Sequence, residues 1–221
     1  LATGHYVRIH EAEQGVRLIR GKDPVKDQSY FLSLTPITTL AACVFPLGAM
    51  FKQDVPGELA KRGLVPPAPS ESQEICFIPD DDYRAFLANR STDLPGPGPI
   101  LFQGEEAIGR HGGLWRYTLG QRRGLGIAWS EPLYVTGKDQ EQNALVVDTR
   151  AGLAASGCRA HKVNILVPPE QWPKTLLGQT RYKQRATEVR VELSGNRLRM
   201  HFTAPHSLPA PGQIAAVYSP D

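Results

Sequence analysis

The hexapeptide Leu94-Pro95-Gly96-Pro97-Gly98-Pro99 constrains the fold of this chain more than any other stretch, because each proline removes a backbone donor and each glycine loosens the backbone of a helix or central strand. It reads as a linker or as the entry to a new domain. Before it, apolar residues recur at helical spacing; after it, short apolar runs alternate with turn residues. The 21 glycines and 19 prolines agree with many turns and a β-rich second half.

On the N-terminal side, Leu1 to Ile9 reads as a strand end, a glycine turn and a second strand, and Val16 to Arg20 as a further short strand. Thr35-Pro36 then starts a helix carrying Ile37, Leu40, Ala41 and Val44 on one face, with Cys43 inside the pattern and therefore in the core. A second helix from Asp54 to Arg62 is ended by Gly63. Asp80-Asp81-Asp82 precedes Tyr83, Phe86 and Leu87, and these acids suit the positive end of a helix better than a calcium loop, whose alternate spacing they lack.

Beyond the hexapeptide, Ile100 to Phe102 pairs with Ala107 to Gly109 as a hairpin, and Leu133 to Thr136 with Ala144 to Val147 as another. From about Ala155 the pattern is that of a small closed barrel. Within it Leu198, Met200 and Phe202 alternate with Arg197, Arg199 and His201. Arg181, Lys183 and Arg185 share a face whose parity continues into Val189, Val191 and Leu193. Either a bulge near Ala186 breaks the register or the three cations line a ligand-facing opening.

Several function classes fall away. The three cysteines, Cys43, Cys76 and Cys158, are too few for a disulfide framework and form no Cys-x-x-Cys pair, and the histidine pairs His5/His10 and His201/His206 lack clustered partners, so no metal site is read. That cysteine usage suits a reducing cytoplasm. No run reaches the roughly 18 apolar residues of a membrane helix, and the start does not resemble a signal peptide. His111-Gly112-Gly113 has no Gly-x-Ser-x-Gly elbow to serve, which removes the hydrolase reading. The net charge of +3 is uneven: residues 51–100 carry five basic and eight acidic groups, residues 151–221 nine and four. The basic end is the candidate polyanion surface, a solvated face being the plainer alternative. Arg122 and Arg123, set among Gly120, Gly124 and Gly126, form either an anion contact or a tight basic turn. Cys76, between a polar loop and Phe77-Ile78, is either a small buried hydrophobe or a reactive thiol.

Six motifs in order bear on that choice: Ala2-Thr3-Gly4-His5-Tyr6, Lys26-Asp27-Gln28-Ser29-Tyr30-Phe31-Leu32, Ile75-Cys76-Phe77-Ile78, the Tyr117 to Gly126 run, Arg181-Tyr182 and Pro211-Gly212-Gln213. Together they resemble the tRNA-specific 2-thiouridylases. The resemblance implies an α/β remnant of a PP-loop ATPase domain with helices over residues 1–80, a small central α+β domain over 81–153, and a C-terminal all-β barrel that binds tRNA over 154–221. It implies ATP, with Mg2+, for adenylation of the wobble uridine, and a cysteine persulfide that delivers sulfur with a disulfide as by-product.

By the same resemblance Cys76 is the persulfide carrier and Gly4 a backbone position beside ATP, while His5, Lys26, Asp27, Gln28, Arg181, Tyr182 and Gln213 contact tRNA. A sulfur-donor protein, either a cysteine desulfurase or a relay protein, is the further partner; no membrane is involved, and the location is cytoplasmic. Glu74 and Asp80 disfavour a Cys76 thiolate, so a compensating cation is expected. The family's Ser-Gly-Gly-x-Asp-Ser phosphate loop and its other catalytic cysteine do not occur in residues 1–221, and Gln73-Glu74 stand where some members have Thr-Gly. Opening without methionine, the chain reads as a portion lacking those parts and is expected not to complete the reaction alone. The alternative is a non-catalytic tRNA-binding module.

Overall fold

A computed structural model of the chain describes residues 1–12, 15–65, 78, 82–90 and 93–220. It divides the chain into two compact units, the first made of Leu1–Pro69, Ser156–Ala204 and Pro211–Asp221, the second of Ser70–Ala155 and Pro205–Ala210. Both ends of the chain thus contribute to one unit.

In the first unit, β1 (Val7–Ala12) pairs antiparallel with β2 (Gly15–Arg20), Val7 opposite Arg20, and Val7 is fully buried. A polar loop leads to α1 (Ser29–Leu32), then α2 (Ile37–Ala41) and α3 (Val55–Lys61) follow. α2 starts after Pro36 and buries Leu40, as its sequence spacing predicts, but it stops at Ala41. Ala42 and Cys43 bond back to Thr39 and Leu40, a tightening that ends the helix. Val44 instead forms a parallel bridge with Ala2: its N–H donates to the Leu1 carbonyl (2.8 Å) and its carbonyl accepts from Thr3 (3.0 Å). Its side chain is left 61% exposed, and Cys43 is half-buried rather than core. α3 ends as expected, with Gly63 in the left-handed region at φ +65°.

The second unit opens with α4 (Tyr83–Arg90), whose Asp82 carboxylate accepts from the N–H groups of Arg84 (3.0 Å) and Ala85 (2.9 Å), the capping expected of it. Asp80 and Asp81 lie outside the described residues. Strands β3 (Gly98–Phe102), β4 (Glu106–His111), β5 (Tyr134–Asp139) and β6 (Ala144–Asp148) form a sheet in the order β4-β3-β6-β5, parallel only between β3 and β6. Ile100, Leu114, Leu125, Leu133, Val135, Leu145 and Val147 are its core. The hexapeptide is shorter as a connector than its composition suggests, because Gly98 and Pro99 already belong to β3; Gly98 is buried, and an added Cβ would collide with the Asn143 carbonyl. The Arg122-Arg123 segment is irregular backbone that follows a turn at Leu119-Gly120. The Gln121 side chain accepts from Thr118 N–H and donates to the Arg123 carbonyl, and Gly124 and Gly126 take positive φ.

The remaining strands lie in the first unit except for the start of β7 and the end of β10: β7 (Ala154–His161), β8 (Leu176–Gln179), β9 (Thr187–Ser194), β10 (Arg197–Ser207) and β11 (Ala216–Tyr218), in the order β11-β8-β9-β10-β7. Leu198 and Met200 are buried against Val189 while Arg197 and Arg199 face out, as the alternation predicts. Arg199 and His201 lie 3.7 and 3.4 Å from Glu192 on β9, so one carboxylate offsets much of that basic face. The register question at Ala186 resolves differently from a bulge. β8 ends at Gln179 and β9 begins at Thr187, so Arg181, Lys183 and Arg185 sit on a connecting loop with no strand parity to break. Among the described residues no helix is long and apolar enough to cross a membrane.

Candidate nucleic-acid interface

The loop between β2 and α1 is built around two carboxylates. Asp23 accepts from Val25 N–H (3.0 Å) and Lys52 N–H (3.0 Å), and the Lys52 bond first among several backbone donors holds its carboxyl below the usual range despite burial. Asp27 is more heavily engaged. Its Oδ1 accepts from the N–H groups of Gly21 (2.9 Å) and Ser29 (3.1 Å), its Oδ2 from Ser29 Oγ (2.8 Å), and Arg20 Nη1 lies 3.4 Å away. With its side chain 8% exposed, Asp27 closes the loop from inside. Gln28 ties the loop to the segment before β1: its Oε1 accepts from Tyr6 N–H (2.9 Å) and its own N–H donates to the Tyr6 carbonyl (3.1 Å). His5 therefore adjoins the loop through Tyr6, and its Nδ1 is 2.8 Å from Thr3 Oγ1.

The three residues after the loop carry it to the C-terminal part of the chain. Ser29 Oγ lies 3.3 Å from the Tyr218 hydroxyl, whose pKa is raised by burial, and the Arg20 guanidinium stacks over the Tyr218 ring at 3.8 Å. Tyr30 is buried and donates its hydroxyl to the Ile214 carbonyl (2.8 Å), beside Gln213. Phe31 meets Tyr182 with ring centroids 4.4 Å apart. Further along, Asn164 Nδ2 donates to the carbonyls of Ser33 (2.8 Å) and Thr35 (2.9 Å). The loop bearing Arg181 and Tyr182 is itself pinned: Gln179 Nε2 donates to both their carbonyls (3.0 and 2.7 Å), and Thr180 Oγ1 to Gln184 Oε1 (3.0 Å).

Three stretches far apart in sequence therefore converge: Lys26-Asp27-Gln28, Arg181-Tyr182 and Gln213. Of these, Gln213 is exposed, Arg181, Tyr182 and Lys26 half-exposed, and Lys183 and Arg185 exposed beside them. Gly4 is exposed on the segment bridged to Val44; an added Cβ would meet only Leu47 Cδ1, at an ordinary 3.7 Å. Cys76, with its neighbours Glu74 and Asp80, lies outside the described residues. The other two cysteines are half-buried, and burial pushes the Cys158 thiol up, away from reactivity.

Sequence reasoning overlooked the residues that knit the interface together: Tyr30 and Phe31, though they stood in a quoted motif, and Tyr218, Asn164 and Gln179, which no local pattern marks. In the second unit, an open groove of about 550 Å³ runs along Arg122 and Gly124 to Leu133.

Three family models match the chain in succession: a tRNA methyl transferase HUP domain at residues 1–80, a tRNA methyl transferase PRC-barrel domain at 84–149, and an aminomethyltransferase beta-barrel domain at 155–221. Among curated proteins, the chain is 57% identical over 219 residues to the tRNA-specific 2-thiouridylase MnmA of Nitratidesulfovibrio vulgaris strain DP4, with 99% of this chain and 63% of that protein covered. It is 56% identical to the protein of the same name from Oleidesulfovibrio alaskensis (99% and 63% covered) and 45% identical to that from Lawsonia intracellularis (99% and 64% covered). The chain spans just under two thirds of the length of these relatives.

Proposed function

We propose, for a chain that belongs to the tRNA-specific 2-thiouridylase family, that it provides the tRNA-holding surface and the sulfur-bearing cysteine of an ATP-dependent tRNA sulfurtransferase acting on the wobble uridine. The model names speak of methyl transfer and the relatives of thiolation; the relatives are the stronger guide because they match 99% of the chain at 45–57% identity. One observation carries the reading: the Lys26–Gln28 loop, the Arg181-Tyr182 loop and Gln213 meet in one compact unit through the Tyr30–Ile214, Phe31–Tyr182 and Ser29–Tyr218 contacts. Cations there neutralise phosphates, and exposed rings stack on unpaired bases.

In this proposal ATP, bound with Mg2+, would supply the adenylyl group that makes the C2 oxygen of the uridine a leaving group. Gly4, open on its exposed side, is the residue at which this chain meets the nucleotide. Cys76 receives sulfane sulfur as a persulfide from a donor protein and presents the outer sulfur to the C2 carbon, a second cysteine closing the cycle as a disulfide. His5, Lys26 and Gln28 hold the anticodon loop from one side, Arg181, Tyr182 and Gln213 from the other, and Asp27 shapes the loop. The domain limits proposed are 1–80, 81–153 and 154–221, and the setting is the cytoplasm.

The test is a Cys76→Ser substitution in the whole protein, read by mass spectrometry of tRNA nucleosides and by tRNA binding. We expect 2-thiouridine to vanish while tRNA affinity is kept. Undiminished thiolation by the variant refutes the role of Cys76; tRNA binding without thiolation by the unsubstituted whole protein leaves a non-catalytic tRNA-binding module.

A further inference from the structure

Phe31 is a large apolar side chain that the fold does not use as core. α1 is a four-residue helix, and successive helical residues point about 100° apart, so burying Tyr30 turns Phe31 outward. Tyr30 is 2% exposed and Phe31 48%. The ring is nevertheless held in place. Tyr30 meets it edge-on (centroids 5.5 Å, planes at 76°), and Tyr182 from the β8–β9 loop packs on it at 4.4 Å with planes 39° apart. Both supports are fixed in turn, Tyr30 by its bond to Ile214 and Tyr182 by the Gln179 amide. A pre-ordered ring half open to water loses little conformational entropy on meeting a flat partner.

The surroundings select the partner. Lys183 and Arg185 are exposed on the same loop as Tyr182, and Lys26 lies on the loop leading into α1. An exposed aromatic face on elements whose loops carry exposed cations suits a base attached to phosphate rather than an apolar protein surface. The 4.4 Å spacing leaves no room for a base between Phe31 and Tyr182, so a base would lie on the outward face of Phe31. We infer that Phe31 is a base-stacking residue for single-stranded RNA, taking an unpaired base of the anticodon loop on its open face with Tyr182 as its backing. This deepens the tRNA reading given above and rests on it.

The experiment measures the affinity of the full chain for an anticodon stem-loop RNA and for versions carrying an abasic nucleotide at each loop position in turn, across a salt series. Phe31→Leu keeps the apolar bulk without the flat face, and Phe31→Trp enlarges the face. Expected is a roughly 5- to 100-fold weaker Kd for Phe31→Leu with an unchanged salt slope, since no phosphate contact is lost. Phe31→Trp should bind at least as well as the unsubstituted chain, and at one abasic position the Phe31→Leu penalty should disappear. Equal affinity of Phe31→Leu and unsubstituted chain overturns the inference, as does a penalty that persists on every abasic RNA. So does a Phe31→Leu protein that binds RNA normally but no longer accepts sulfur from its donor, which would make the patch a protein-docking surface. An Arg181→Ala, Lys183→Ala protein in the same assay separates the two levels: if that variant weakens binding and Phe31→Leu does not, only the stacking role falls, whereas indifference to both removes the RNA-binding face itself.

Discussion

Two aspartates a few residues apart do different work, and their bonding shows it. Asp27 satisfies donors from Gly21 and Ser29 and stands against Arg20, so its charge is consumed inside the loop and its contribution to a ligand is the shape it imposes. Asp23 bridges that loop to Lys52, just ahead of α3, and the backbone donors hold its pKa below that of an ordinary carboxyl. A carboxyl whose pKa is lower folded than unfolded stabilises fully above the unfolded value, and that stability is lost as pH falls through the folded value. Asp23→Asn should therefore lower stability at neutral pH and flatten the acid limb of the stability curve, the two proteins converging as Asp23 protonates. Denaturant unfolding at stepped pH checks this; parallel curves down to the acid end would show that Asp23 adds nothing to acid sensitivity.

At the scale of elements, backbone partners override side-chain spacing. The helical pattern of Ile37, Leu40, Ala41 and Val44 reads one turn too far because Val44 finds a better-bonded place beside Ala2. The same corner depends on close packing of backbone: Gly48 donates to Phe45, accepts from Lys22, and lies so near β1 that an added Cβ would run into the Val7 carbonyl oxygen. Gly48→Ala must push the turn away from β1 and should cost about 1–3 kcal/mol through overpacking, visible as a lower denaturation midpoint with an unchanged slope. A midpoint equal to that of the unsubstituted protein would mean the turn gives way freely. Gly57, with nothing near its open side, serves as the control.

At the scale of the whole molecule the charge bias becomes a binding argument. Residues 151–221 carry nine basic and four acidic groups, and the fold sorts them: Arg199 is drawn to Glu192, while Lys183 and Arg185 stand exposed on the β8–β9 loop with Arg181 between strand and solvent. If that loop meets tRNA, affinity falls steeply with salt, by a logarithmic slope of about −0.7 to −0.9 per phosphate neutralised. Arg181→Ala, Lys183→Ala should weaken binding and reduce that slope by roughly two contacts. A slope that does not move excludes the loop from the phosphate-binding surface.

Read alone, the sequence determined what depends on neighbours in the chain: the glycine stop of α3, the Asp82 cap, the two-residue alternation of β10, and the ordered motifs that mark the family. Only the tertiary structure decided which motif residues are taken up in bonds within the fold and which stay exposed. It drew Asp27 inward, placed Arg181 on a loop instead of a strand, and set Phe31 against Tyr182. The reason is physical. Caps, turns and strand parity are fixed by covalent geometry within a few residues, whereas a contact between α1 and the β8–β9 loop exists only once separate strands have packed.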